Sequence, residues 1–182
     1  GLPLIALMMA LEMEEEPQNK KRITQGIQQG LEFELGITTE VNNPFELARQ
    51  YAPDSPSTQA KTRYFMPHDN ETGYWWQGEN ARLASLASLG YKAAKFDEFK
   101  DLAEALIEYA DSQLDWILGK NPYDTCMMQN KGRNNPVYEE GWPNAPGGIC
   151  NGITAGFFDE NDIDFIPITP ETDCSDQRWR WG

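Results

Sequence analysis

The sequence is short of histidine, of basic residues and of cysteine, and each shortage excludes something. There is one His among 182 residues and no HExxH pattern, so the zinc-hydrolase signature is missing. Lys and Arg number 15 against 29 Asp and Glu, a formal charge of −14. That charge repels nucleic-acid phosphate and anionic lipid, so neither a nucleic acid nor a membrane surface is expected as partner. Cys126, Cys150 and Cys174 are odd in number and form no CxxC, which argues against a disulfide framework and against zinc. No apolar run approaches the ~18 residues of a membrane span. The longest, Leu2 to Leu11, is interrupted by Pro3 and has neither the basic flank nor the small-residue cleavage site of a signal peptide. GxSxG, a phosphate-binding glycine loop and a supported Cys–His pair are also missing.

Apolar residues make up 40% of the chain, enough for a core. The chain opens on Gly1-Leu2-Pro3, already within an apolar helical segment, and closes on Trp179-Arg180-Trp181-Gly182. Both ends read as cut, which gives the expectation of a section from a longer enzyme; a processed domain with poorly ordered ends is the alternative. Acidity of this degree suits a secreted or periplasmic protein.

Residues 1–118 read as mainly helical and 119–182 as loop-rich. Leu4, Ile5, Leu7, Met8 and Leu11 recur at helical spacing over 2–15, and Ile23, Ile27, Leu31 and Leu35 over 18–37. Pro17 either breaks the first run or opens the second. Gly26 and Gly30 weaken the second helix unless another backbone packs closely there. Residues 38–75, with Pro44, Pro53, Pro56 and Pro67, read as a long irregular connection. Helix returns near Gln77, and a further helix over 97–118 carries Phe99, Leu102, Leu106, Ile107, Leu114 and Ile117 at i, i+3, i+4, i+7. Gly119 and Asn121-Pro122 stop it. Four helices in two hairpins result, an all-α class. The last 64 residues hold eight Gly and six Pro, so they cannot form a core and are expected to line a cleft over the scaffold. No repeat of fixed period is visible.

Four stretches could carry chemistry. Phe65 to Asn80 places His68, Asp69, Asn70, Glu71, Tyr74, Trp75 and Trp76 in a loop that leads into a helix. Indole faces stack on pyranose C–H faces, while carboxylates and amides pair with hydroxyls. Neighbouring helical residues are turned by about 100°, so Trp75 and Trp76 cannot both face one core. The competing reading is a capped helix start with core tryptophans. Arg133 with Asn134 and Asn135 reads as a hydroxyl clamp or as a staple for loop carbonyls. Trp142 to Gly152 reads as architectural. Asp159, Asp162 and Asp164 alternate as Ca²⁺ ligands would, but lack the Gly and Glu of an EF-hand loop, so a solvated acidic loop is favoured.

Several blocks together resemble the later part of a glycoside hydrolase family 9 enzyme, in its glucosaminidase-like or cellulase-like branch. They are FMPHDNETGYWWQGENARLASLA at 65–87, DWILGKNP at 115–122, GRNNP at 132–136, NGITAG at 151–156 and the acidic run 159–164. The resemblance implies a partial (α/α)6 barrel and an inverting mechanism on chito- or cello-type oligosaccharides, with one carboxylate activating water and a carboxylic acid protonating the leaving oxygen. The family's base lies in an Asp-Ala-Gly-Asp motif, which this sequence does not contain. Its acid is expected just beyond Trp179-Arg180-Trp181-Gly182. Neither catalytic carboxylate can therefore be assigned to a residue here. The Pro-His-His-Arg segment of the cellulases is also missing, which weakens a plain endoglucanase reading.

The leading expectation is a section of such a hydrolase that supplies sugar subsites through His68, Asp69, Asn70, Glu71, Trp75, Trp76, Arg133, Asn134 and Asn135. A non-catalytic carbohydrate-binding or interaction module on a helical scaffold is the alternative. A self-contained pair of carboxylates, Glu71 with Glu79 or Asp124, is a third. A section of a barrel would expose apolar faces and so meet a companion polypeptide or another copy of itself.

Overall fold

The computed structural model describes residues 1–52, 59–64, 79–122, 124–135 and 146–149, and two further strands, 68–70 and 73–75, by their backbone. Among the described residues there are four α-helices: α1 (Leu2–Met13), α2 (Pro17–Thr39), α3 (Glu79–Ala93) and α4 (Ala103–Leu118), the last preceded by a 3-10 turn, Asp97–Leu102. Pro17 opens α2, where its missing N–H costs nothing and its fixed φ suits the first turn.

The mostly helical class holds, but the segment expected to be irregular contains two small hairpins. β1 (Gln50–Ala52) pairs antiparallel with β2 (Lys61–Arg63), Gln50 opposite Arg63. β3 (His68–Asn70) pairs antiparallel with β4 (Gly73–Trp75). Three residues per strand are too few for a period of two to stand out in the sequence.

The chain divides into two units, 1–48 with 82–114 and 49–81 with 115–182. In the first, the core is built from Met8, Ile27, Leu31, Leu83, Leu86, Leu89, Phe99 and Leu106, all at most 2% exposed. Full burial of each such side chain is worth roughly 1.5–3 kcal/mol. Side-chain contacts fix the helix directions. Gly1 lies against Ser85 and Glu12 pairs with Lys92 at 3.3 Å, so α1 and α3 run the same way. α2 folds back on α1, with Gly30 against Leu4, and α4 folds back on α3, with Gly90 against Leu106, so α2 and α4 also run the same way; Tyr109 Oη donates to Glu34 of α2 at 3.4 Å, and Ser112 Oγ to Glu46 in the segment after α2 at 2.6 Å. The result is two helical hairpins laid side by side.

Close packing explains one of the three α2 glycines, Gly30, and neither Gly26 nor Gly36. A Cβ at Gly30 would lie 2.7 Å from a Leu4 methyl, whereas nothing lies within 4 Å of one at Gly26. The neighbour at Gly30 is thus a side chain of α1, and Gly26 has no packing reason. Gly90 is where backbones do approach, since its Cβ would sit 2.6 Å from the carbonyl oxygen of Leu106.

Both long helices end in the same device. Asn43 Nδ2 donates to the carbonyls of Thr38 and Leu47, and its Oδ1 accepts from Leu47 N. Asn121 Nδ2 donates to the carbonyls of Trp116 and Thr125, and its Oδ1 accepts from Thr125 N. The offsets match, five residues back and four forward. Each Asn precedes a proline, and each is followed three residues later by an acid at positive φ, Glu46 at 52° and Asp124 at 50°. The two asparagines are 78 residues apart and the starts of α1 and α3 are 77 apart. A repeat is therefore present where the sequence showed none; what recurs in residue type is Asn-Pro-aromatic-acid, Asn43–Glu46 and Asn121–Asp124.

Candidate functional site

The sugar-type residues of the sequence fall in the second unit, on β3, β4 and the loop after α4. The β3–β4 ladder places His68 opposite Trp75, Asp69 opposite Tyr74 and Asn70 opposite Gly73. Glu71 and Trp76 lie outside the described residues. The hairpin leads into α3, whose first residues Glu79 and Asn80 are each 2% exposed. Glu79 is in the first turn, where a carboxylate meets the positive end of the helix dipole. Asn80 Nδ2 reaches Met127 Sδ at 3.2 Å.

Two residues that the sequence did not single out are buried beside these in the chain. Among the described residues the buried charged side chains are Arg49, Arg63 and Glu79, all of the second unit. Arg49 donates to the Thr62 carbonyl at 3.1 Å and Arg63 to the Ala52 carbonyl at 2.9 Å, each reaching the opposite strand. The Arg49 guanidinium also lies 5.3 Å from the Tyr64 ring centroid, a cation–π distance. Nothing in the pattern of 49–63 marks these arginines as inward, because strands this short carry no readable alternation.

The loop after α4 is fixed from both sides. Gly119, at φ 120°, ends the helix. Met127 N bonds back to the Ile117 carbonyl at 2.8 Å, and Cys126 N to the Arg133 carbonyl at 3.0 Å. Gly132 has two reasons to be glycine: its φ is 71°, and a Cβ there would lie 2.6 Å from Cys126 Cβ. Gln129 N bonds to the Gly148 carbonyl and Gly147 N to the Gln129 carbonyl, around an isolated bridge between Met128 and Ile149.

On this loop the clamp residues have separate jobs. Asn134 Nδ2 donates to the Asp124 carbonyl at 2.9 Å and Asn135 Nδ2 to the Gly132 carbonyl at 2.8 Å. Both amides thus serve partly as loop staples. Arg133 is 81% exposed and ion-pairs with Asp124, itself 55% exposed. An exposed pair of this kind is worth at most about 1 kcal/mol, so a ligand could compete for either partner at little cost. Of the third carboxylate reading, Glu79 is buried, Asp124 is paired with Arg133, and Glu71 is outside the described residues. Asp159, Asp162 and Asp164 also lie outside them, and among the described residues no group of three or more His, Cys, Asp or Glu side chains could hold a metal. No described helix is long and apolar enough to cross a membrane.

Among the described residues, burial shifts two titrating groups of the first unit. Burial raises the Glu34 carboxyl above the ordinary 4.5, against the smaller opposing pull of the Gly1 amine, Arg82 and the Tyr109 hydroxyl. Burial likewise lowers the Gly1 amine below its ordinary 8.0.

No protein-family model matches this chain, and the comparison with curated proteins finds no match either.

Proposed function

We propose that this chain is a section of an inverting β-glycoside hydrolase of the family 9 type, acting on chito- or cello-oligosaccharides. In this reading it supplies sugar subsites and part of an (α/α)6 wall, while the two catalytic carboxylates are not among its assigned residues. Its support is the order of the sequence blocks together with two parallel-running helical hairpins, the kind of unit from which such barrels are assembled. The observation that carries the reading is the β3–β4 hairpin, which sets His68 opposite Trp75 and Asp69 opposite Tyr74 just ahead of α3. An indole offers an apolar face for a pyranose ring, and the imidazole paired with it across the ladder offers a hydroxyl partner. Arg133 and Asp124 add an exposed donor–acceptor pair on the loop after α4.

Calorimetric titration of the chain with a cello-tetrasaccharide and a chito-tetrasaccharide tests this directly. Saturable binding of one of them is expected, accompanied by a change in Trp emission. Trp75→Ala is expected to weaken it at least tenfold, about 1.4 kcal/mol, and His68→Ala by less. No heat and no emission change with either sugar at about 10 mM, where binding would be worth only ~3 kcal/mol, would remove the proposal.

A further inference from the structure

The loop after α4 has an uncommon backbone between Asn130 and Asn134. φ is positive at Asn130 (55°), Gly132 (71°) and Asn134 (46°), and not at Lys131 or Arg133 between them. Left-handed and ordinary residues therefore alternate over five positions. Alternation of this kind turns successive backbone N–H groups toward one side, which makes a concavity suited to an anion.

The hydrogen bonds of the loop agree with that reading. Lys131 N is used, bonding to the Met128 carbonyl at 3.1 Å. The next four backbone donors, Gly132 N, Arg133 N, Asn134 N and Asn135 N, have no acceptor among the described residues. The groups that hold the loop in place are others. The Gly132 carbonyl accepts from Asn135 Nδ2 at 2.8 Å and the Arg133 carbonyl from Cys126 N at 3.0 Å, while Asn134 Nδ2 donates to the Asp124 carbonyl at 2.9 Å. The acceptors are thus tied down and the donors left open. Two cationic side chains stand on the same exposed stretch. Arg133 has one partner, the Asp124 carboxylate, and the Lys131 ammonium has none among the described residues.

We propose that residues 131–135 form an oxyanion site, which takes a phosphate group on the Gly132–Asn135 amides with Arg133 and Lys131 as its charge partners. A phosphate group offers three strong acceptor oxygens and nearly two negative charges. Four N–H donors and two cations match it better than they match the two oxygens and single charge of a carboxylate. The guanidinium adds a planar fork that fits phosphate geometry. Asp124 is the internal competitor, and displacing it from an exposed pair costs about 1 kcal/mol or less. With −14 on the chain as a whole, anion binding has to come from this local arrangement, since the long-range field opposes it. A free phosphate and one carried on a sugar present the same oxygens to the loop.

Amide NMR during a titration with inorganic phosphate at constant ionic strength reads the proposal. The Gly132–Asn135 amide protons are expected to move downfield and to saturate with a Kd on the order of 1 mM. Arg133→Gln is expected to weaken binding about tenfold. Asp124→Asn keeps a residue suited to positive φ and removes the competing charge, so it is expected to tighten binding by up to about fivefold. Lys95→Gln, at an exposed position of the first unit, is expected to change nothing. Glucose 6-phosphate in a parallel titration separates the two sources: tighter binding than inorganic phosphate supports a phosphosugar, and equal or weaker binding supports the free ion. No saturation by about 50 mM phosphate, unmoved Gly132–Asn135 amides, acetate binding as tightly as phosphate, or equal weakening by Lys95→Gln would each overturn it. Phosphate carries no pyranose, so its failure to bind leaves the reading of His68 and Trp75 standing, and failure of the neutral tetrasaccharides leaves this site standing.

Discussion

Replacing Asn121 by Ala removes three hydrogen bonds at the end of α4 and leaves their partners behind. The side chain is 5% exposed. Its amide nitrogen serves the carbonyls of Trp116 and Thr125, both at 2.8 Å, and its oxygen serves Thr125 N at 3.2 Å. Each such bond is worth about 0.5–1.5 kcal/mol net, and a buried group left unpaired costs about 1–3 kcal/mol. The Trp116 carbonyl retains a second donor in Gly119 N at 3.3 Å, which lowers the sum. Asn121→Ala is therefore expected to cost about 2–3 kcal/mol. Asn43 makes the same three bonds in a part-buried setting, where water can replace them, so Asn43→Ala is expected to cost about 1 kcal/mol. Asn121→Asp keeps the acceptor for Thr125 N but turns a carboxylate oxygen on two carbonyls. It should cost at least as much as Ala at neutral pH and recover in part once the acid is protonated. Urea unfolding followed by far-ultraviolet circular dichroism gives these values from the shift in midpoint at constant slope. An Asn121→Ala variant within about 0.5 kcal/mol of wild type, or one less damaged than Asn43→Ala, would refute the reasoning.

Two further predictions concern the first unit. Gly26→Ala is expected to stabilise by about 0.5–1 kcal/mol through helix propensity alone, since its Cβ meets nothing within 4 Å. Gly90→Ala is expected to destabilise by about 1–3 kcal/mol, because its Cβ would press on the Leu106 carbonyl oxygen at 2.6 Å; thermal unfolding of the two variants should shift in opposite directions. Glu34 has a raised carboxyl pKa, chiefly from burial, so the folded chain holds more protons than the unfolded one in the window above 4.5. Stability from this group is thus lost as pH rises through that window. Glu34→Gln, which can still accept from Tyr109, should gain stability relative to wild type between pH 4.5 and neutrality; parallel pH profiles for the two proteins would rule the effect out.

The helices were legible because their lengths let a period of 3.6 repeat several times. Phe99, Leu106 and Ile117 recur as expected and are at most 2% exposed, and Gly119 with Asn121-Pro122 marks the end of α4 correctly. The strands were not legible, and with them went the inward side chains of Arg49 and Arg63. Each arginine is tied to a carbonyl on the opposite strand, a relation that exists only after the hairpin has formed. On the candidate site, composition singled out His68, Asp69 and Trp75 as candidates, but their cross-strand register comes from the ladder alone.

The repeated asparagine shows why local chemistry can hide from periodicity and still govern a fold. A proline disfavours helical backbone in the residue before it, and Asn43 and Asn121, just beyond the ends of α2 and α4, reach back to carbonyls that are losing their helical partners. The carboxamide then supplies what the departing backbone withdraws, and an acid in the left-handed region turns the chain. That turn costs about 1 kcal/mol or more for a residue with a Cβ. In the first loop Ser112 holds the acid, Glu46; in the second Arg133 pairs with Asp124. The block DWILGKNP, which carries much of the family resemblance, is therefore largely a helix-stopping device, with Trp116, Ile117 and Asn121 all at most 5% exposed. Its weight falls on the hairpin architecture. The proposed sugar binding rests on the β3–β4 hairpin instead, which is why Trp75→Ala tests that proposal apart from the fold better than any change at Asn121.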